Sequence, residues 1–172
     1  MTGRQKGEKV KYENNLTEVG TFHSIETFWA VFNNVLSPSA LLLNANLHLF
    51  KKGIKPMWED AANQNGGKWT ISLGKSDPKL DKFWRELLLG LTGGVLDKPG
   101  EDEFVGIVAS RRKNGDRVAV WNRRKENDIV MDLGRRLRKH LGADPTVPFE
   151  YQHHQDSLKS GASYANQAKV RV

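Results

Sequence analysis

A chain of 172 residues with 27 lysines and arginines against 20 acids, a formal charge of +7, has room for one domain with a real core and favours anionic partners such as nucleic acid. It has no cysteine, which excludes disulfides and thiolate metal sites, and no apolar run of membrane-spanning length. The polar start MTGRQKGEKVK lacks the apolar core of a signal peptide, so a soluble cytoplasmic protein is expected.

In chain order, residues 1–11 read as a flexible basic segment and 12–172 as a single domain. Ser24 is the expected N-cap of a first helix with Ile25, Phe28, Trp29 and Phe32 at helical spacing. Strand patterns follow at Asn46–Phe50 and Lys68–Leu73, where Trp69, Ile71 and Leu73 alternate with Lys68, Thr70 and Ser72 and predict one wet face. Asp77-Pro78 opens a second helix whose stripe is Leu80, Phe83, Trp84, Leu87, Leu88 and Leu91. Strands are predicted at Phe104–Arg112 and Arg117–Trp121, a third helix from Asn127 to Leu141 stopping at Gly142, and a last strand at Val147–Tyr151. Cations crowding the end of that helix suit its dipole. The order reads as α+β, an antiparallel sheet backed by helices.

Two segments carry chemistry. Ile54–Trp69, IKPMWEDAANQNGGKW, reads as a loop presenting Trp58 with Glu59 directly after it. An indole face stacks on a flat ring, and a carboxylate beside it accepts two N–H donors from that ring's edge. Guanine offers such a pair at N1 and N2, and methylation at N7 makes it a cation that an indole attracts. The second segment is the hairpin VASRRKNGDRVAVW. Asn114-Gly115 predicts a two-residue type I′ turn, which pairs Lys113 with Asp116 and Arg112 with Arg117. Arg112, Arg117 and Trp121 then share one face, opposite Ile107, Ala109, Val118 and Val120. Two opposed arginines repel unless an anion lies between them, and arginine forks suit phosphate oxygens.

These segments, with TFHSIETFWAVFNNV, resemble the eukaryotic translation initiation factor 4E family of messenger-RNA cap-binding proteins, from about Tyr12 to Val172. The resemblance implies a curved antiparallel sheet with three helices on its convex side and the cap in its concave side. It implies that Tyr12 and Trp58 sandwich 7-methylguanine, that Glu59 reads the base, and that Trp121 lies against the methyl group. Arg112 and Arg117 match phosphate-contacting positions; Lys68, Ser157 and Lys159 fall where the family reaches later phosphates or the next nucleotide. Tyr12 stands where most members have tryptophan and is similar to the divergent 4E-homologous class, some of which repress translation.

The resemblance also implies a surface for helical peptides, matched by Ile25, Trp29, Glu86 and Leu89, with partners such as initiation factor 4G-like scaffolds or 4E-binding proteins. Arg85 stands where many members have leucine. The family's usual first strand, with its His-Pro-Leu segment, has no counterpart here, and Ala162 replaces a serine that some members phosphorylate.

The expected activity is non-catalytic: a monomer without cofactor or metal that couples the capped message to a partner in initiation or repression. A partner-binding adaptor of the same fold with weak or no cap affinity and a general single-stranded RNA binder are the alternatives. Gly74-Lys75-Ser76 fails as a phosphate loop because Trp69 occupies the required upstream glycine position. His153-His154-Gln155-Asp156 reads as solvated loop rather than a metal site.

Overall fold

The computed structural model describes residues 16–160 and 170–172, with six strands and four α-helices among them. Tyr12, the basic segment 1–11 and Ala162 lie outside the described residues. The chain divides into two compact units, Met1–Val35 and Leu36–Val172.

In the first unit, α1 spans Ile25–Phe32. Ser24 caps it as expected: its hydroxyl accepts from the Thr27 amide at 3.3 Å, while the Ser24 amide donates to the Thr27 hydroxyl at 3.1 Å. That reciprocal pair satisfies two amides the first turn leaves open. Phe28 is buried, stacked on Phe32 at 5.7 Å with Phe22 edge-on at 5.2 Å.

The second unit holds an open, curved, wholly antiparallel sheet of β1 (Asn46–Phe50), β2 (Gly67–Ser72), β3 (Phe104–Ser110), β4 (Arg117–Asn122), β5 (Phe149–His153) and β6 (Val170–Arg171). The spatial order is β1-β3-β4-β2-β5-β6. The pairing register sorts the side chains onto two faces. One carries Ile107, Val118, Val120, Trp69, Ile71, Phe149 and Tyr151; the other carries His48, Phe50, Val108, Arg117, Ala119, Trp121, Lys68, Thr70 and Gln152.

Helices α2 (Lys79–Thr92) and α3 (Asn127–Leu141) belong to the first face. The expected α2 stripe, Leu80 to Leu91, is buried, and Asp77 Oδ1 accepts the Lys79 amide at 2.9 Å to close its first turn. Trp69 donates its indole N–H to the Val130 carbonyl at 3.1 Å. Gly134 is what lets α3 come so near: a Cβ there would lie 2.4 Å from the Trp69 ring. Gly142 ends α3 in the left-handed conformation, φ 55°. Arg138 then reaches past that end to the carbonyls of Asp144 and Val147, at 2.7 and 2.9 Å.

Three expectations are corrected. The face of β2 read as wet is dry where it matters, with Lys68 1% and Thr70 5% exposed, because the second face carries a small apolar cluster and a further helix of its own. That helix, α4 (His154–Ser160), replaces the expected solvated loop: the chain leaves β5 with the His154 amide bonded to the Gly66 carbonyl, burying His154 and Ser157 completely.

The β3–β4 register is also displaced by two residues. Ser110, not Arg112, stands opposite Arg117. Of the two expected turn residues only Gly115 has positive φ, 128°, and its amide donates to the Arg112 carbonyl at 3.4 Å. A slip by an even number leaves every side chain on its expected face.

Candidate functional site

The loop between β1 and β2 is held by two side chains that sequence reasoning did not single out. Asp60 accepts the amides of Lys55 and Ala62 at 3.0 and 2.9 Å. Asn63, wholly buried, donates to the carbonyls of Lys55 and Met57 at 2.8 and 2.7 Å. In this short polar stretch nothing distinguishes Asn63 from Gln64 or Asn65 beforehand; only the fold gives it carbonyls to bind. So tethered, the loop leaves Trp58 half-buried and Glu59 exposed. Glu59's carboxylate makes no hydrogen bond or ion pair with a described residue, so its acceptor sites stay open.

Trp58 packs with Ile54 and Phe50 against Val105, Val108, Ala119 and Trp121. Phe50 meets Trp121 edge-on at 5.3 Å, and Gly106 makes room for it, since a Cβ there would lie 2.5 Å from the Phe50 ring. Two of the expected aromatic residues are therefore brought into one cluster on one face of the sheet.

The cations lie on the same face. Arg112 is half-buried, donating to the Ala45 and Arg111 carbonyls at 3.2 and 2.7 Å and to Asn46 Oδ1 at 2.6 Å. Arg117 sits on the β4 rung two residues before Ala119. Lys68, directly across from Trp121, has its ammonium pulled down to about 7, first by burial and then by the charge of Arg117. His48 is pulled to about 4 by burial and by Arg112. Burial and the neighbouring arginines thus push Lys68 and His48 toward their neutral forms, a condition that an incoming anion would relieve.

His154 is the residue the sequence reading missed. Its ring lies 4.1 Å from that of Trp121, and burial, helped by Lys68, lowers it to about 3 against a smaller opposing effect from Gly67. It is a neutral ring braced on the tryptophan. Strand parity held a signal: with Phe149 and Tyr151 facing the helices, Gln152 must face Lys68, and the chain then turns beneath Trp121. Ser157 is fully buried and Lys159 is exposed, so of these two only Lys159 presents its side chain to solvent.

The expected partner-binding residues fall two in each unit. In the first, Ile25 and Trp29 are 74% and 41% exposed on α1. In the second, Leu89 is exposed on α2 and Glu86 is half-buried, 3.7 Å from the guanidinium of Arg85. Among the described residues no group of three or more His, Asp or Glu side chains is placed to hold a metal, and no helix is long and apolar enough to cross a membrane.

An open curved sheet, helices on one face, and an aromatic cluster beside cations on the other define an α+β protein of the cap-binding fold class. The profile of the family described as "Eukaryotic initiation factor 4E" matches residues 1–169, and the chain belongs to that family. It is 40% identical over 156 residues to "Eukaryotic translation initiation factor NCBP" of Triticum aestivum, covering 90% of this chain and 66% of the wheat protein. It is 38% identical over 170 residues to "Eukaryotic translation initiation factor 4E" of Homo sapiens, covering 96% of this chain and 78% of the human one. Among solved structures, a complex of C. elegans eIF4E-3 with the 4E-binding protein Mextli and a cap analog superposes with a TM-score of 0.83 at 31% identity, covering 96% of this chain and 90% of that one. Ascaris suum eIF4E-3 with an m7G cap gives 0.82 at 30% identity, over 100% and 91% of the two chains.

Proposed function

We propose that this protein binds the 7-methylguanosine cap of messenger RNA, without catalysis, and couples it to a partner protein in translation initiation or its repression in the cytoplasm. One observation carries the reading: Trp58 and Trp121 share a cluster on the sheet face that also holds Arg112, Arg117 and Lys68, with Glu59 exposed beside Trp58. Trp58 stacks on the cationic base, Tyr12 is the family-matched candidate for the second stacking residue, and Glu59 accepts from the base N1 and N2 donors. Trp121, braced by His154, contacts the methyl group. Arg112 and Arg117 bind the phosphates, and Lys68, recharged by their approach, adds to them. Lys159 lies along the next nucleotide's path. A helical segment of a scaffold or 4E-binding protein docks on the exposed Ile25 and Trp29 of α1, and Glu86 and Leu89 of α2 are separately read as partner-contacting positions. The cap complexes and the Mextli complex of the nematode relatives support both halves of the reading.

Tryptophan fluorescence titrated with 7-methyl-GTP, with GTP as control, tests it. Strong quenching by the methylated nucleotide and little by GTP is the expected result. Equal quenching by both removes the cap assignment and leaves an adaptor or a general RNA binder.

A further inference from the structure

Arg112 and Arg117 do not face each other across a rung; six residues, 111–116, separate the last paired positions Ser110 and Arg117. Ladder geometry therefore does not set where Arg112 stands relative to Arg117, and some other contact must. We propose that Asp116 is a positioning residue for the phosphate end of the site, holding Arg112 and Arg117 at their working separation without touching the ligand. The inference rests on the reading of those two arginines given above.

Asp116 is 1% exposed and stands immediately before Arg117. Its Oδ1 accepts the Arg112 amide at 3.1 Å, which closes the connection on itself. The same oxygen faces Arg111 Nε at 3.2 Å. Its carbonyl accepts the Leu73 amide at 2.9 Å, and Gly115 passes so near Leu73 that a Cβ would lie 2.6 Å from the Leu73 oxygen. One residue thus ties both arms of the connection to each other and to the exit of β2.

Arg111 supplies the other anchor. Its amide donates to the Ala45 carbonyl at 3.1 Å, its carbonyl accepts the Asn44 amide at 2.9 Å, and its guanidinium donates to the Ser39 carbonyl. With the backbone pinned on both sides, the Arg112 guanidinium spends three N–H groups on Ala45, Arg111 and Asn46, leaving two of its five for an anion. The carboxylate also offsets Arg111, whose side chain is only 16% exposed, so that this buried guanidinium is not left uncompensated. Preorganisation of this kind raises affinity for the group it serves and leaves the rest of the ligand unaffected.

The test compares 7-methyl-GTP with 7-methylguanosine, which has the base and no phosphate, by fluorescence titration of the full chain. Asp116→Asn keeps the shape and an acceptor for the Arg112 amide but removes the charge. Affinity for 7-methyl-GTP falls roughly tenfold while that for 7-methylguanosine holds, the pattern of Arg112→Ala in smaller measure. Arg111→Gln breaks the same ion pair from its other side and reads the same ratio if Asp116→Asn does not fold. Equal losses for both ligands, or an unchanged ratio, overturn the inference and leave Asp116 as a hairpin brace. A wild-type protein that binds the two ligands equally overturns the phosphate reading of Arg112 and Arg117 itself, and the inference with it.

Discussion

On the helix-covered face of the sheet, Trp69, Ile71, Ile107, Val118, Phe149 and Tyr151 are all at or below 1% exposure, and the two polar atoms among their side chains are both satisfied, by the carbonyls of Val130 and Arg124. On the other face Lys68, His154 and Ser157 are buried to the same degree, and Thr70 is 5% exposed. There, among the described residues, the hydroxyls of Thr70 and Ser157 have no well-aligned hydrogen-bond partner. Equal burial serves two ends. The first face turns apolar area into stability; the second holds polar groups out of water, at a cost in stability, beneath the residues proposed to bind the ligand.

The largest effect belongs to the first face. Trp69→Ala loses about 3–5 kcal/mol, because it empties the volume under α3 and removes a buried hydrogen bond to the Val130 carbonyl. Denaturant unfolding reads this directly, and a smaller loss than that of Trp121→Ala would break the distinction between the faces.

Acid separates the faces next. His154 and His48 titrate in the folded protein at about 3 and about 4, below the ordinary 6.5. The unfolded chain therefore binds more protons between those values, and stability rises with pH there. The stability is fully present above about pH 6.5 and is lost as pH falls toward 4 and then 3, by on the order of 1 kcal/mol per pH unit for each group. Chemical denaturation at pH 7, 6 and 5 measures the slope, and His154→Gln flattens it.

Trp58→Ala weakens 7-methyl-GTP binding by roughly 1–3 kcal/mol, since it removes the proposed stacking ring, and costs less stability than Trp69→Ala because the ring is only half-buried. Matched losses in binding and stability would place Trp58 with the core instead. Glu59→Ala, at an exposed position, shifts stability by about 0.5 kcal/mol or less but abolishes the preference for methylated guanine over other bases. A competition titration with 7-methyl-GTP and ATP checks it. Tyr12→Trp has the smallest effect, a gain of about 0.5–1 kcal/mol in cap affinity from the stronger cation–π partner, and no gain would remove Tyr12 from the sandwich.

Local chemistry made several elements legible. Ser24 with Thr27 starts α1, the Leu80-to-Leu91 stripe is α2, and Gly142 ends α3, because caps, periodicity and left-handed turns are read within a few residues. The β3–β4 faces were legible while the register was not, since parity is a property of each strand and register depends on Asp116 meeting Arg111 and Arg112. His154 looked solvated because a His-His pair with an aspartate nearby has no apolar periodicity; only the return of the chain along β2 buries it.

What the amino-acid sequence determined by itself is the inventory: one α+β sheet with its amphipathic helices, a Trp-Glu pair on a polar loop, two arginines bracketing a turn, and the family to which they point. Each follows from contacts or preferences spanning a few residues. The tertiary structure alone decided that Trp58 and Trp121 join one cluster, that Lys68 and His154 lose their water, and that Asp116 meets Arg111 and the Arg112 amide. Those outcomes need partners from separate strands and loops, and burial, unlike periodicity, is a property of the packed whole.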